Sequence, residues 1–257
     1  AATALLLSLG GARAKEFPLD LNHFYSDLNT MQVPIPAMPE AVKDNSAAGS
    51  KAVKKWTVMV FINGKNNLEA AGLLNINMME MAGSDNNVNI VVELGRMNGQ
   101  EGDTDADGDW TGSKRFYIRK DNNMETVTSP VVMGTPRVDM GDYKRAVDFV
   151  NWTRKTYPAQ RYMLIISNHG TGWMDPKNAK KLISDDKGIS FDDETGNYFR
   201  TRQIGQILKE AGKVDILAFD ACLMQMAEML SEVKDNAGVM VGSEELIPGV
   251  GYPYHVF

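Results

Sequence analysis

A chain of 257 residues, 43% hydrophobic and 23% charged, is long enough to bury a full core and fits one large α/β domain or one domain with appendages. Its 33 acidic against 27 basic residues leave a formal net charge of −6, and no Lys/Arg run is long enough to reverse that sign locally, which excludes a general nucleic-acid binder. The single cysteine, Cys222, excludes an internal disulfide, so its thiol is either core filler or present for its chemistry.

The N-terminal residues carry an apolar run from Ala4 to Leu9 followed by Ala12-Arg13-Ala14, a small-x-small signal-peptidase pattern. Residues 1–14 therefore read as the remnant of an export signal, with a buried N-terminal helix as the competing reading, and the expected location is secreted, periplasmic or cell-surface. The run is too short to span a bilayer, which takes roughly 20 apolar residues. Residues 15–54, centred on "VPIPAMPEAV", show no sustained period and read as a pro-segment or linker. The texture changes at Trp56, and residues 55–257 are expected to form the functional domain, truncated at its C-terminal end.

In that domain "WTVMVFI" (56–62) is a continuous apolar run, the pattern of a strand covered on both faces. Behind it Leu68, Ala71, Leu74, Met78 and Met81 recur at helical spacing. Residues 88–94 predict a strand, 113–133 a hairpin, 142–156 a helix and "RYMLIIS" (161–167) a second two-faced strand. A polar insertion rich in Asp, Lys and Gly follows over 171–197. The helix "TRQIGQILKEAG" closes on Gly212, as helix C-termini commonly do. A strand at 214–219, a helix from Leu223 and a strand at 238–243 complete the pattern. Strands alternating with helices predict an α/β fold with a mostly parallel sheet covered on both sides, and the methionines read as core filler.

In such a sheet, chemistry collects beyond the carboxyl ends of the strands. His169 follows one strand in "SNHGTGW", and Cys222 follows another in "LAFDACLMQM". If those strands are neighbours, both side chains rise from the same edge. A thiolate is the effective nucleophile, and a nearby imidazole or a helix N-terminus lowers the thiol pKa; the helix expected to start behind Cys222 would supply the second influence. His169 would protonate a leaving amine and activate water. The N–H groups of Gly170 and Cys222 would face a tetrahedral oxyanion, the missing Cβ of Gly170 allowing close approach. Taken singly, a lone cysteine is more often a small core residue and a lone histidine a hydrogen-bonded strand end; their placement at corresponding strand ends favours chemistry. His23 and His255 lie in the pro-segment and the terminal loop and compete poorly.

The stretches "WTVMVFINGKNNLE", "SNHGTGW", "ISFDDETGNYFRT", "DILAFDACLMQMAEM" and "VGSEELIPGVGYPY" together resemble the clostripain family of cysteine peptidases, which shares a clan with caspases, legumain and gingipains. The resemblance covers residues 55–257. It implies a caspase-like three-layer α/β/α sandwich, a His169–Cys222 dyad, and cleavage after basic residues, mainly Arg and in some members Lys. It also implies that Asp220 lines the primary specificity pocket, where a carboxylate can hold a guanidinium through paired hydrogen bonds; the competing reading is a helix cap. Glu244 and Glu245 are second pocket residues or part of a solvated loop, and the residues do not separate the two.

"DTDADGD" sets Asp103, Asp105, Asp107 and Asp109 at alternating positions around Gly108, the opening of an EF-hand-type loop, but the twelfth position, which should be Glu, is Lys114. That excludes an EF-hand. A Ca2+ site completed from elsewhere stays open beside an acidic solvated turn, since clostripain-like enzymes are often calcium-dependent; no organic cofactor is expected. The family's self-cleavage in the loop after the catalytic histidine implies cutting at Lys180 or Lys181 and a light/heavy chain heterodimer. The expected function is a secreted cysteine endopeptidase acting on proteins or peptides with Arg or Lys before the scissile bond. Its rivals are a clan relative of other specificity and a catalytically silent, calcium-binding surface module with the peptidase fold.

Overall fold

A computed structural model describes residues 53–172 and 188–256, which belong to the second of two compact units, residues 48–257. The export-signal reading, nearly all of the pro-segment, and Lys180 and Lys181 lie outside the described residues. The first strand, β1 (Lys54–Asn63), is buried at every position from Met59 onward, as its unbroken apolar run requires of a strand covered on both faces. It is followed by α1 (Glu69–Ala82), β2 (Val88–Arg96), the hairpin of β3 (Gly112–Tyr117) and β4 (Val131–Thr135), and α2 (Tyr143–Thr156). Then come β5 (Ala159–Ser167), β6 (Gly188–Asp192) and β7 (Asn197–Arg200), α3 (Thr201–Ala211), β8 (Val214–Asp220), α4 (Ala227–Val233) and β9 (Ala237–Val241).

Seven strands form one sheet in the order β4-β3-β2-β1-β5-β8-β9. The five strands from β2 to β9 run parallel, and only the β3–β4 hairpin at one edge is antiparallel. The chain leaves β1 toward β2 and later returns to β1's other side with β5, so the strand order reverses between β1 and β5. That reversal opens a crevice beyond the carboxyl ends of these strands, the usual ligand position in open α/β sheets.

Alternation along the strands sorts the core into two layers. Met59, Phe61, Leu164, Ile166, Leu217 and Phe219 face one side, where they pack with Phe149 and Val150 of α2, Ile204 and Leu208 of α3 and Met229 of α4. On the opposite side α1 lies so close that a Cβ on Gly72 would stand 2.9 Å from the Leu94 side chain and 3.1 Å from that of Ile62. The result is the expected α/β/α arrangement. The predicted hairpin and the 142–156 helix are both present, the latter capped by Asp142, whose carboxylate accepts the Lys144 N–H at 3.0 Å.

Three expectations are corrected. Met81 is 36% exposed rather than on the buried stripe of α1. The polar insertion contains the β6–β7 hairpin, which buries Ile189, Tyr198 and Phe199; two strands of five and four residues are too short for their alternation to stand out among Asp, Asn and Gly. The helix after β8 begins at Ala227, not Leu223, because Leu223 sits at φ +60°, a conformation outside any right-handed helix.

Buried charge at the β2–β3 edge is fully matched. The Glu93 carboxylate accepts from Arg115 Nε at 2.8 Å, from Ser113 at 2.9 Å and from the Arg145 guanidinium. Glu93→Ala leaves the 1%-exposed Arg115 without its buried counter-charge, and the expected loss is about 3–5 kcal/mol, read as a lower urea midpoint at unchanged slope.

Candidate active site

The parallel register builds the site from the backbone outward. Ser167 pairs with Ile62 of β1 and with Asp220 of β8, and the Asn168 N–H donates to the Asp220 carbonyl at 3.2 Å. His169 and Cys222 are each two residues beyond a paired position, so they leave the sheet side by side. Just past them the chains touch: a Cβ on Gly170 would stand 2.5 Å from the Cys222 carbonyl oxygen, and one on Gly172 2.3 Å from that of Leu223. Glycine at 170 is thus required first by this backbone contact, beyond any role toward substrate.

Cys222 is held differently from expectation. Residues 222–226 do not coil; Leu223 N–H donates to the Glu245 carbonyl at 3.2 Å and Gln225 N–H to that of Ser243 at 3.0 Å, so the segment pairs with the loop after β9. No helix N-terminus stands behind the thiol. Its Sγ instead accepts the Ile247 N–H at 3.4 Å.

The half-buried His169 ring places Nε2 2.6 Å from Asn67 Oδ1, and burial holds its pKa below the ordinary imidazole value. The ring is neutral at neutral pH, the state a general base requires. Asparagines fix its surroundings. Asn168 donates to the Asn63 carbonyl at 2.6 Å and accepts Phe191 N–H at 2.8 Å, while Asn63 and Asn66 donate to the Phe191 carbonyl at 3.0 and 2.8 Å. These bonds staple the β6–β7 hairpin to the carboxyl end of the sheet, reinforced by the buried Lys65, which donates to the Val138 carbonyl at 2.5 Å and pairs with Glu194.

His169 and Cys222 line one cavity of about 240 Å³, together with Asp220, Asn75, Leu246 and Gly251. Asp220, 3% exposed, accepts through Oδ2 from Tyr254 at 2.8 Å and from Ser167 at 3.4 Å; the Tyr252 backbone N–H also faces the carboxylate, and Oδ1 makes no hydrogen bond of ordinary geometry among the described residues. The carboxylate leaves no room for a side chain on Gly251, whose Cβ would meet it at 2.3 Å. Burial raises the Asp220 pKa, with the Tyr254 hydroxyl as the largest opposing influence. Asn75 is also 3% exposed, and its Oδ1 has no partner among the described residues. Glu244 is exposed in the loop after β9 and is not among the residues lining this cavity.

The four aspartates of the acidic loop are not brought together: among the described residues no group of three or more His, Cys, Asp or Glu side chains could hold a metal ion. Asp103 accepts Gly99 N–H at 2.7 Å and Asp107 accepts Val127 N–H at 2.8 Å. The loop carbonyls of Thr104 and Ala106 close on the Arg96 guanidinium at 2.6 and 2.9 Å, itself paired with the buried Glu69 at 2.7 Å. A fixed cation against the loop opposes a second positive charge beside it.

Asn67, Asn75, Asn168 and Ile247 were not singled out in the sequence. Asparagine reads there as a turn residue, and Ile247 contributes only its backbone.

A thiol and an imidazole at adjacent strand ends beside a topological reversal, on a mostly parallel α/β/α sheet, define the class of cysteine peptidases with caspase-like fold. Residues 60–257 match the model of the clostripain family, and the chain belongs to that family. It is 26% identical over 232 residues to clostripain from Hathewaya histolytica, covering 84% of this chain and 44% of clostripain. A secreted C11 cysteine protease from Bacteroides thetaiotaomicron, solved with an irreversible peptide inhibitor, is 25% identical with a TM-score of 0.59 over 79% of this chain and 52% of that one. An inactive zymogen C11 protease from Parabacteroides distasonis shares the fold at 20% identity, with a TM-score of 0.56 over 78% of this chain and 51% of its own. The chain thus spans about half the length of these relatives.

Asn168→Ala removes the acceptor of Phe191 N–H and the donor to the Asn63 carbonyl, leaving two backbone groups unpaired. The expected cost is about 1–3 kcal/mol for each group left buried, measured by chemical denaturation, with faster amide exchange at Phe191.

Proposed function

We propose that this chain carries the catalytic centre of a secreted cysteine endopeptidase that hydrolyses peptide bonds after Arg, and less efficiently after Lys. The observation that carries this reading is the buried Asp220 carboxylate in the cavity shared by His169 and Cys222. A buried carboxylate that has hydrogen bonds but no counter-charge is costly unless a cation meets it, and a basic side chain reaching in from the cleavage point would do so. Asn75 lines the same cavity, and its Oδ1 has no partner among the described residues; it supports Arg over Lys, since a guanidinium has five donors in a fixed fork, enough to serve both side chains, whereas an ammonium is a single compact charge.

In the reaction, His169 takes the Cys222 proton and the thiolate adds to the scissile carbonyl. The Gly170 and Cys222 N–H groups, which donate to no backbone carbonyl of a described residue, would stabilise the oxyanion. Collapse breaks the C–N bond, and the protonated His169 delivers its proton to the leaving amine. His169 then deprotonates water, which attacks the thioester, releasing the new carboxyl terminus and restoring the thiol. Export is supported by the secreted Bacteroides relative, and no helix among the described residues is long and apolar enough to cross a membrane. Self-cleavage at Lys180 or Lys181 would yield two associated chains; a mature heavy chain whose N-terminus lies elsewhere would refute it.

Fluorogenic peptides ending in Arg, Lys, Asp and Asn test the reading directly. Arg and Lys peptides should be cut and the others not, with Cys222→Ala abolishing turnover. Asp220→Ala should lower kcat/KM for Arg peptides by roughly a hundredfold or more. Asn75→Leu should reduce the Arg/Lys ratio by about tenfold, the worth of one hydrogen bond to a charged group. Because the Asp220 pKa is raised and its ionised form binds the cation, KM should climb as pH falls through that elevated value, and Asp220→Asn should remove this limb.

A further inference from the structure

We infer that Asn67 is the positioning residue for His169: its side-chain oxygen selects the imidazole tautomer and orientation that present Nδ1 as the proton acceptor for the Cys222 thiol. The inference rests on the reading of His169 as general base.

Geometry comes first. Asn67 Oδ1 lies 2.6 Å from His169 Nε2, a short contact that an amide oxygen makes only with a proton donor. In the Nε2–H tautomer this contact is a hydrogen bond, and the lone pair is left on Nδ1. The alternative tautomer would set two acceptors against each other. Once the ring takes the thiol proton, the same oxygen accepts a charge-assisted hydrogen bond from the imidazolium.

Second, the chain around Asn67 is immobilised while its side chain is not part of the core. The preceding turn is set by Lys65 N–H to Asn63 Oδ1 at 3.1 Å and by Leu68 N–H to Asn66 Oδ1 at 3.0 Å. Gly64 lets this turn pass β2: its N–H donates to the Gly95 carbonyl at 3.0 Å, and a Cβ there would stand 2.8 Å from the same oxygen. Asn67 itself is exposed, so its amide adds little to folding. A fixed backbone presenting an exposed amide to a half-buried ring is an arrangement that serves the ring.

Third, position explains the choice of residue. Asn67 follows β1, His169 follows β5 and Cys222 follows β8, three adjacent strands ending at one edge. The titratable groups sharing the His169 cavity are Cys222 and Asp220. A neutral amide orients the ring without adding a further anion to the nascent thiolate and the Asp220 carboxylate.

The test compares wild type, Asn67→Ala and Asn67→Asp in the full chain, by kinetics on an Arg peptide and by NMR of the His169 ring nitrogens. Wild type should show the Nε2–H tautomer. Asn67→Ala should keep its melting temperature and KM but lose roughly tenfold to a hundredfold in kcat, part of the ~10²–10⁴ an acid–base group contributes. Its His169 titration should move to lower pH. Asn67→Asp should recover much of the rate, with the His169 titration and the matching limb of the kcat/KM profile moved to higher pH. An Nδ1–H tautomer in wild type, or titrations unchanged in both variants, overturns the inference whether or not the protein cleaves peptides. Absence of any cleavage by wild type alongside the expected tautomer and shifts would refute the peptidase reading while leaving Asn67's hold on the ring established.

Discussion

The contact on which the site depends is the approach of two backbones, Gly170 against the Cys222 carbonyl, at a distance no side chain would permit. Parallel pairing of β5 with β8 fixes the register, but strands diverge once their ladders end. Here the chains stay together for several residues more, through Asn168 N–H to Asp220 and the glycines at 170 and 172. Reactive side chains on two separate loops thereby keep the precision of a sheet. Such positioning matters because proton transfer tolerates errors of only a few tenths of an ångström.

Around that contact, polar order is supplied by neutral groups. Asn63, Asn66 and Asn168 satisfy the backbone at the crevice, and the Ile247 amide meets the thiol. Lys65 with Glu194 is the charged pair that joins this staple, while Glu93 pairs at the β2–β3 edge and Arg96 with Glu69 beneath the acidic loop. Charges in contact with the reacting groups would shift the thiol and imidazole by amounts that depend on salt and on loop position. Amides give direction without that sensitivity, and each one consumes both a donor and an acceptor of the buried backbone.

How legible this was in the chain depended on which physics each residue expresses. The central strands could be read because a run such as residues 56–62 has only one good environment, between two helical layers. That His169 and Cys222 end adjacent strands and line one cavity could be anticipated because their strand-end positions correspond. The β6–β7 hairpin was hidden by brevity, and the helix expected at Leu223 failed because pairing with residues 243–245 overrode local propensity. The aspartates at 103–109 alternate as in a metal loop, but spacing does not reveal that the loop carbonyls turn onto Arg96, several residues earlier. Asn67 and Asn75 were silent for a related reason: an asparagine in a turn and one in a helix acquire meaning only from what the fold sets opposite them.

Burial acts on His169 and Asp220 in opposite directions, and both directions serve the proposed cycle. It lowers the His169 pKa and raises that of Asp220, so the empty site resists charge at each. A neutral imidazole is what the first proton transfer needs. For Asp220, in the proposed reading, a cation entering the cavity would restore the ionised carboxylate, and protons and substrate would compete for the same group. Binding free energy would then be drawn most strongly by the one side-chain class that supplies the missing counter-charge. Apolar or acidic side chains would leave it unpaired, which is a stronger basis for selectivity than shape alone, since rejection then follows from a buried carboxylate left without a counter-charge.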